Sequence, residues 1–253
     1  MRCPPAQPQG TEPSTEFATI SAEYLLAGTS IPWPNNQLVA YSSAVEKGEI
    51  FAAVAEERRG LADLLDTFSE AQWAAASLCE AWTVRDVAAH LVTPLITPMR
   101  KAVVAVAKAR GDLDKAIIAM TASVARRHGD NLPALLRQHA NNRFQPPLIG
   151  PMAPLTEVTI HGQDIRRPLG LSRTFTPAQQ LAILDFLTSP AAKRAFRRNT
   201  TKVRWEATDL GWSHGDGPAV RGPAEAIMLA LTGRRAALAD LRGDGTEQLG
   251  NHL

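Results

Sequence analysis

The stretch PLTEVTIHGQDIRRPLG, residues 154–170, carries the residue types and spacing best suited to chemistry. With Glu157 at zero on a helical wheel of about 100° per residue, His161 falls at about 40° and Asp164 at about −20°. Val158, Ile165 and Leu169 border this line at about 80–120°, and Ile160 borders its other side at about −60°. Thr159, Gln163 and Arg166 occupy the far face, which is expected to meet solvent. Glu157, His161 and Asp164 are thus expected to point inward between apolar borders. A buried carboxylate without a partner loses several kcal/mol of solvation or takes up a proton. A metal ion is one way to satisfy it, because Glu and His at i and i+4 can reach one cation.

A third ligand has to come from another helix. His90, in SLCEAWTVRDVAAHL, lies at the edge of its helix's apolar stripe, about 60° from Val87 and about 40° from Asp86. Two His and one Glu form a mixed nitrogen–oxygen set suited to Zn²⁺, and Ni²⁺ or Fe²⁺ could use the same ligands. With three protein ligands, a fourth position stays open to water or substrate, where a water is acidified or a thiolate stabilised. Asp164 and Asp86 are candidates to orient a ligand histidine through its other ring nitrogen. Glu-x-x-x-His alone also describes an ordinary i,i+4 ion pair, and Asp86 is equally explained as a capping partner of Thr83.

The elements that must position these residues are read from periodicity. Phe51, Val54, Leu61, Leu64, Leu65 and Phe68 predict a long amphipathic helix from about Glu49. Thr83 with Asp86 predicts the capped start of a second helix, which Pro94 and Pro98 are expected to kink or segment. Further helices are expected over 113–127, over 132–139 and up to Pro168, which together suggest a bundle. Beyond Gly170 the texture changes. A helix is expected over 176–187, a strand over 202–208 and a glycine-rich turn in DLGWSHGDGPAV between two short strands. Another helix is expected over 223–231 with proline at its first position. The resulting division is a flexible extension over 1–45, a helical domain over 46–170 and a small α/β domain over 171–253, an α+β protein. Within the extension, Ile31-Pro32-Trp33-Pro34 is a candidate for local docking.

Composition narrows the function classes. The 253 residues carry 27 basic and 25 acidic side chains, a net charge of +2, without the concentrated basic face of a nucleic-acid protein. The basic run 193–198 is short and reads first as a solvated helix face. No run approaches the roughly 20 apolar residues of a membrane helix, and residues 1–17 lack a signal-peptide core. Only Cys3 and Cys79 occur, so no structural disulfide is expected and a soluble, cytoplasmic protein is the default. Cys79 reads as a small packing residue, Trp73 and Trp82 as packing, and His214 as an exposed turn residue. Arg221 and Arg234 flank the last long helix and are candidates to hold an anionic substrate.

LCEAWTVRDVAAHL, then EVTIHGQDIRRPLG, then TDLGWSHGDGPAVRGPAEAIMLALTGRR together resemble the mycothiol-dependent maleylpyruvate isomerase family, over about residues 49–243. The resemblance implies a DinB-like four-helix bundle carrying the metal and a C-terminal α/β domain of sterol-carrier-protein-like topology. It implies a metal held by His90, Glu157 and His161, with zinc as the ion and mycothiol as thiol cosubstrate. The thiolate adds to an activated double bond, the bond rotates and the thiol leaves. A C-terminal arginine would help hold the dicarboxylate, with Arg221 and Arg234 as the candidates in this chain. The leading expectation is a zinc-dependent, mycothiol-using isomerase or S-transferase acting on a small electrophile. Its rivals are a non-catalytic metal- or thiol-binding module and a zinc-dependent hydrolase with Asp164 as general base.

Overall fold

The computed structural model describes residues 47–146, 149–195 and 202–251. The expected N-terminal extension, with its Ile31–Pro34 segment, lies outside the described residues, as do the side chains of the basic run 193–198. The chain is mostly helical with one small sheet, an α+β architecture. Among the described residues no helix is long and apolar enough to cross a membrane.

The first helix, α1 (Lys47–Leu65), buries Phe51, Val54, Leu61 and Leu65 at helical spacing. After the short α2 (Glu70–Ala74) comes α3 (Val84–Ile96), whose start is the capping box anticipated from Thr83 and Asp86. Thr83 Oγ1 accepts from Asp86 N, and Asp86 Oδ2 accepts from Thr83 N at 3.0 Å. Pro94 sits inside α3 without ending it, whereas the chain does break before Pro98 and re-enters a helix as α4 (Met99–Lys108). α5 (Leu113–His128), α6 (Leu132–Gln138) and α7 (Met152–Arg166) complete this part. α7 tightens into a 3₁₀ turn, Arg167–Leu169, and stops at Gly170, whose φ of 68° is left-handed.

The C-terminal part runs α8 (Pro177–Thr188), α9 (Pro190–Ala195), β1 (Arg204–Ala207), β2 (Ser213–His214), β3 (Ala219–Gly222), α10 (Ala224–Leu231) and α11 (Thr246–Gly250). The sheet order is β2-β1-β3, with β1 antiparallel to β2 and parallel to β3. The glycine-rich segment expected to be a turn therefore contains a strand of its own. Val203 and Trp205 are buried on one side, as their alternation requires.

Two hydrophobic cores result. One gathers Leu61, Leu65, Trp73, Val87, Leu91 and Val158. The other joins Phe51, Val54 and Ile160 to Trp205, Val220 and Ile227. α7 contributes to both, and every residue of it except Met152 and Glu157 is buried. This corrects the expectation that Thr159, Gln163 and Arg166 face water. The C-terminal elements cover that side: Gln179 Nε2 donates to Thr159 Oγ1 at 3.3 Å, and Gln163 Nε2 donates to Glu225 Oε1 at 2.7 Å. The Arg166 side chain folds back over Gly162, where a Cβ would stand 2.5 Å from its Nη1.

Candidate metal centre

α3 and α7 pack so that His90, Glu157 and His161 meet, with one ligand atom of each within 4.8 Å of the others. His90 Nε2 lies 2.7 Å from Glu157 Oε1, and His161 Nε2 lies 3.4 Å from the same oxygen. The imidazole rings stand edge to face with centroids 4.9 Å apart. Glu157 is the open side of the group, its side chain 24% exposed, while His161 is 1% exposed. Trp82 backs His90 with ring centroids 5.2 Å apart.

Behind His161 stands a second, fully buried layer. Asp164 Oδ2 accepts from His161 Nδ1 at 2.8 Å. Arg234, from the turn after α10, donates through Nε to Asp164 Oδ1 at 2.9 Å and through Nη2 to Oδ2 at 2.5 Å, a two-pronged pair. Its Nη1 donates to Thr232 O at 2.6 Å, which fixes the guanidinium. The carboxylate can only accept, so His161 Nδ1 carries a hydrogen and Nε2 is the nitrogen turned toward Glu157.

The electrostatics follow from this layering. Burial is the largest influence on His161 and would lower its pKa, but Asp164 and Glu157 outweigh it and raise the imidazole above its ordinary 6.5. Burial also dominates at His90, where Glu157 offsets it only in part, so His90 is lowered. At Asp164 burial would raise the carboxyl, yet the Arg234 guanidinium beside it holds it below the usual range. The Glu157 carboxyl is likewise held well below that range, its burial outweighed by the two imidazoles.

The donor set fits a divalent metal. His161 Nε2 is buried and has no hydrogen-bond partner among the described residues, although its ring is anchored from the other nitrogen. A carboxylate–histidine pair that aims a nitrogen at a group of further ligands is the usual support for a bound metal. Asp164, Cys79 and His161 form a second such group. The expectation of no disulfide turns on Cys3, which lies outside the described residues.

Of the other residues singled out by sequence, Arg234 reaches the centre, but from behind His161 and at 2% exposure. Arg221 does not: it lies on β3, exposed, with Nε donating to Glu206 Oε2 at 2.6 Å. Asp86 is spent on the α3 cap. His214 pairs with Trp205 across the sheet and stacks on Trp212. Two neighbours were not anticipated. Cys79 Sγ sits 3.2 Å from Asp164 Oδ2, a contact between residues 85 apart in sequence. Arg58 of α1 is buried, donates to Ala140 O and Asn142 O, and is pushed down to about 10 by burial, partly offset by the Glu157 carboxylate. Its place in the buried stripe of α1, between Val54 and Leu61, was the available signal.

Residues 54–166 match the family described as mycothiol maleylpyruvate isomerase N-terminal domain. No curated protein sequence matches the chain. Among solved structures, that of the mycothiol-dependent maleylpyruvate isomerase is similar with a TM-score of 0.58 at 15% identity, over 81% of this chain and 95% of that one. A histidine-to-alanine mutant of that enzyme matches with a TM-score of 0.55 at 14% identity and the same coverage. At such identities the likeness speaks for the fold.

Proposed function

We propose that the chain, whose residues 54–166 match the mycothiol maleylpyruvate isomerase N-terminal domain, is a member of that family and a zinc-dependent enzyme using mycothiol to isomerise, or to add to, a small electrophile such as maleylpyruvate. The observation that carries the reading is the buried Nε2 of His161, which makes no hydrogen bond and is aimed at Glu157, 3.4 Å away, and His90 while Asp164 holds the opposite ring nitrogen. In the same reading α1, α3, α5 and α7 form the DinB-like four-helix bundle, and the C-terminal part is the sterol-carrier-protein-like domain.

His90, Glu157 and His161 would hold the metal. When bound, metal and thiol together supply a thiolate of lowered pKa for reversible addition to an activated double bond. The chain's residues do the rest. Asp164 keeps the hydrogen on His161 Nδ1 and so presents Nε2 as the ligand atom. Arg234 fixes Asp164 and is a positioning residue, since it faces away from the open side. Trp82 keeps the His90 ring in place and excludes water from one flank. Glu157, the exposed member, marks where substrate enters.

The hydrolase alternative loses its general base, because Asp164 is fully buried and already bound to Arg234 and His161. Ultraviolet monitoring of maleylpyruvate with zinc-loaded protein, with and without mycothiol, tests the proposal. Conversion that needs mycothiol and disappears in His161→Ala supports it. Metal and mycothiol binding with no turnover of maleylpyruvate or other electrophiles would leave the non-catalytic module as the better description.

A further inference from the structure

We propose that the groove between α4 and α5 binds a fatty carboxylate, a hydrocarbon chain carrying one anionic head. α4 is an anomaly in this fold, because none of its residues is buried. The helix follows a break at Pro98 and leans on α5 without closing against it. Both facing walls are alanine-lined, Ala105 of α4 and Ala109 at its C-cap against Ala116 and Ala119 from α5, and a groove of about 480 Å³ stays open between them. Ile96, Met120 and Val124 extend the apolar lining. That volume falls within the roughly 300–1,000 Å³ of small-molecule sites, which are apolar with a few polar groups.

The charged residues of the lining all have one sign. Lys101, Lys108, Lys115, Arg127 and His128 border the groove, and no carboxylate does. Lys115 is engaged by Asp112 at 3.1 Å, whereas Lys101 and Lys108 on α4 enter no ion pair among the described residues. An apolar trough with a basic rim is complementary to a molecule whose body leaves water and whose head stays at the edge. A phosphate-rich or nucleic-acid ligand would waste the apolar floor. None of the lining residues belongs to the metal centre, so the site stands whether or not the proposed catalysis does.

Calorimetric titration of the full-length protein with decanoate and with its uncharged counterpart decanol tests this. Saturable one-to-one binding of decanoate is expected, at least tenfold weaker for decanol and for Lys101→Glu/Lys108→Glu. Ala119→Trp fills the groove and should abolish binding. Ala105→Trp, on the opposite wall, replaces it if that variant melts abnormally. No saturable decanoate binding, affinity unchanged in the charge-reversed and filled variants, or association only with phosphatidylglycerol vesicles would overturn the proposal.

Discussion

Arg234→Met is the most informative single change. Arg234 and Asp164 have side chains 2% and 0% exposed and share two hydrogen bonds of 2.9 and 2.5 Å. Methionine keeps much of the volume and removes the charge and the donors. Asp164 is then left in the interior with His161 Nδ1 as its main remaining support. Breaking a buried pair from one side costs about 3–5 kcal/mol, against a total stability of about 5–15 kcal/mol. For a chain of this size each kcal/mol moves Tm by about 2–4 °C, so the metal-free variant should melt about 6–20 °C lower. A loosened Asp164 also loosens His161, and loss of such support costs about 10–100-fold in metal affinity. Neutralising the stranded carboxylate with Asp164→Asn should recover part of the stability, so the double variant falls short of the sum of the singles by about 1 kcal/mol or more. Calorimetric melting with and without chelator, and competition against a chromophoric chelator, measure both effects. A Tm within about 2 °C of wild type together with metal affinity within about twofold would refute the reasoning.

Two further outcomes are set by the same geometry. The raised His161 keeps its proton to higher pH than the lowered His90 in the metal-free protein, so at pH 6 metal binding must displace a proton from His161. Zinc titrations in buffers of different ionisation enthalpy should therefore show more proton release at pH 6 than at pH 8.5, with the excess lost in His161→Gln; equal release at both pH values contradicts the assignment. Thr83→Ala removes the α3 cap and should cost about 0.5–2 kcal/mol, read as a modest fall in denaturation midpoint; an unchanged midpoint would show that the cap does not set the start of the His90 helix.

The alignment of Glu157 with His161 was legible because it needs only local rules, whereas their meeting with His90, 67 residues from Glu157, was expected from the resemblance of the motifs. Helical periodicity puts Glu157 and His161 on one line, and the Thr83–Asp86 cap sets the phase of the helix bearing His90. The opposite face of α7 was not legible. Thr159, Gln163 and Arg166 look like a solvent face, and only the partners Gln179 and Glu225, brought over by the C-terminal part, make their burial tolerable. The same limit applies to Cys79 and Arg234. Each reaches Asp164 across a long sequence separation, through loops whose path no periodicity encodes. Arg234 could be nominated as a functional arginine, but which way it faces depends on Thr232 and Asp164.

The central claim is that His90, Glu157 and His161 hold one divalent metal. X-ray absorption at the zinc edge of stoichiometrically loaded protein tests it most directly. The account predicts one zinc per chain with nitrogen and oxygen neighbours at about 2.0–2.2 Å, no protein sulfur, and loss of the bound zinc in His161→Ala. Failure to retain zinc, a sulfur-rich shell, or a spectrum unchanged by His161→Ala would contradict it.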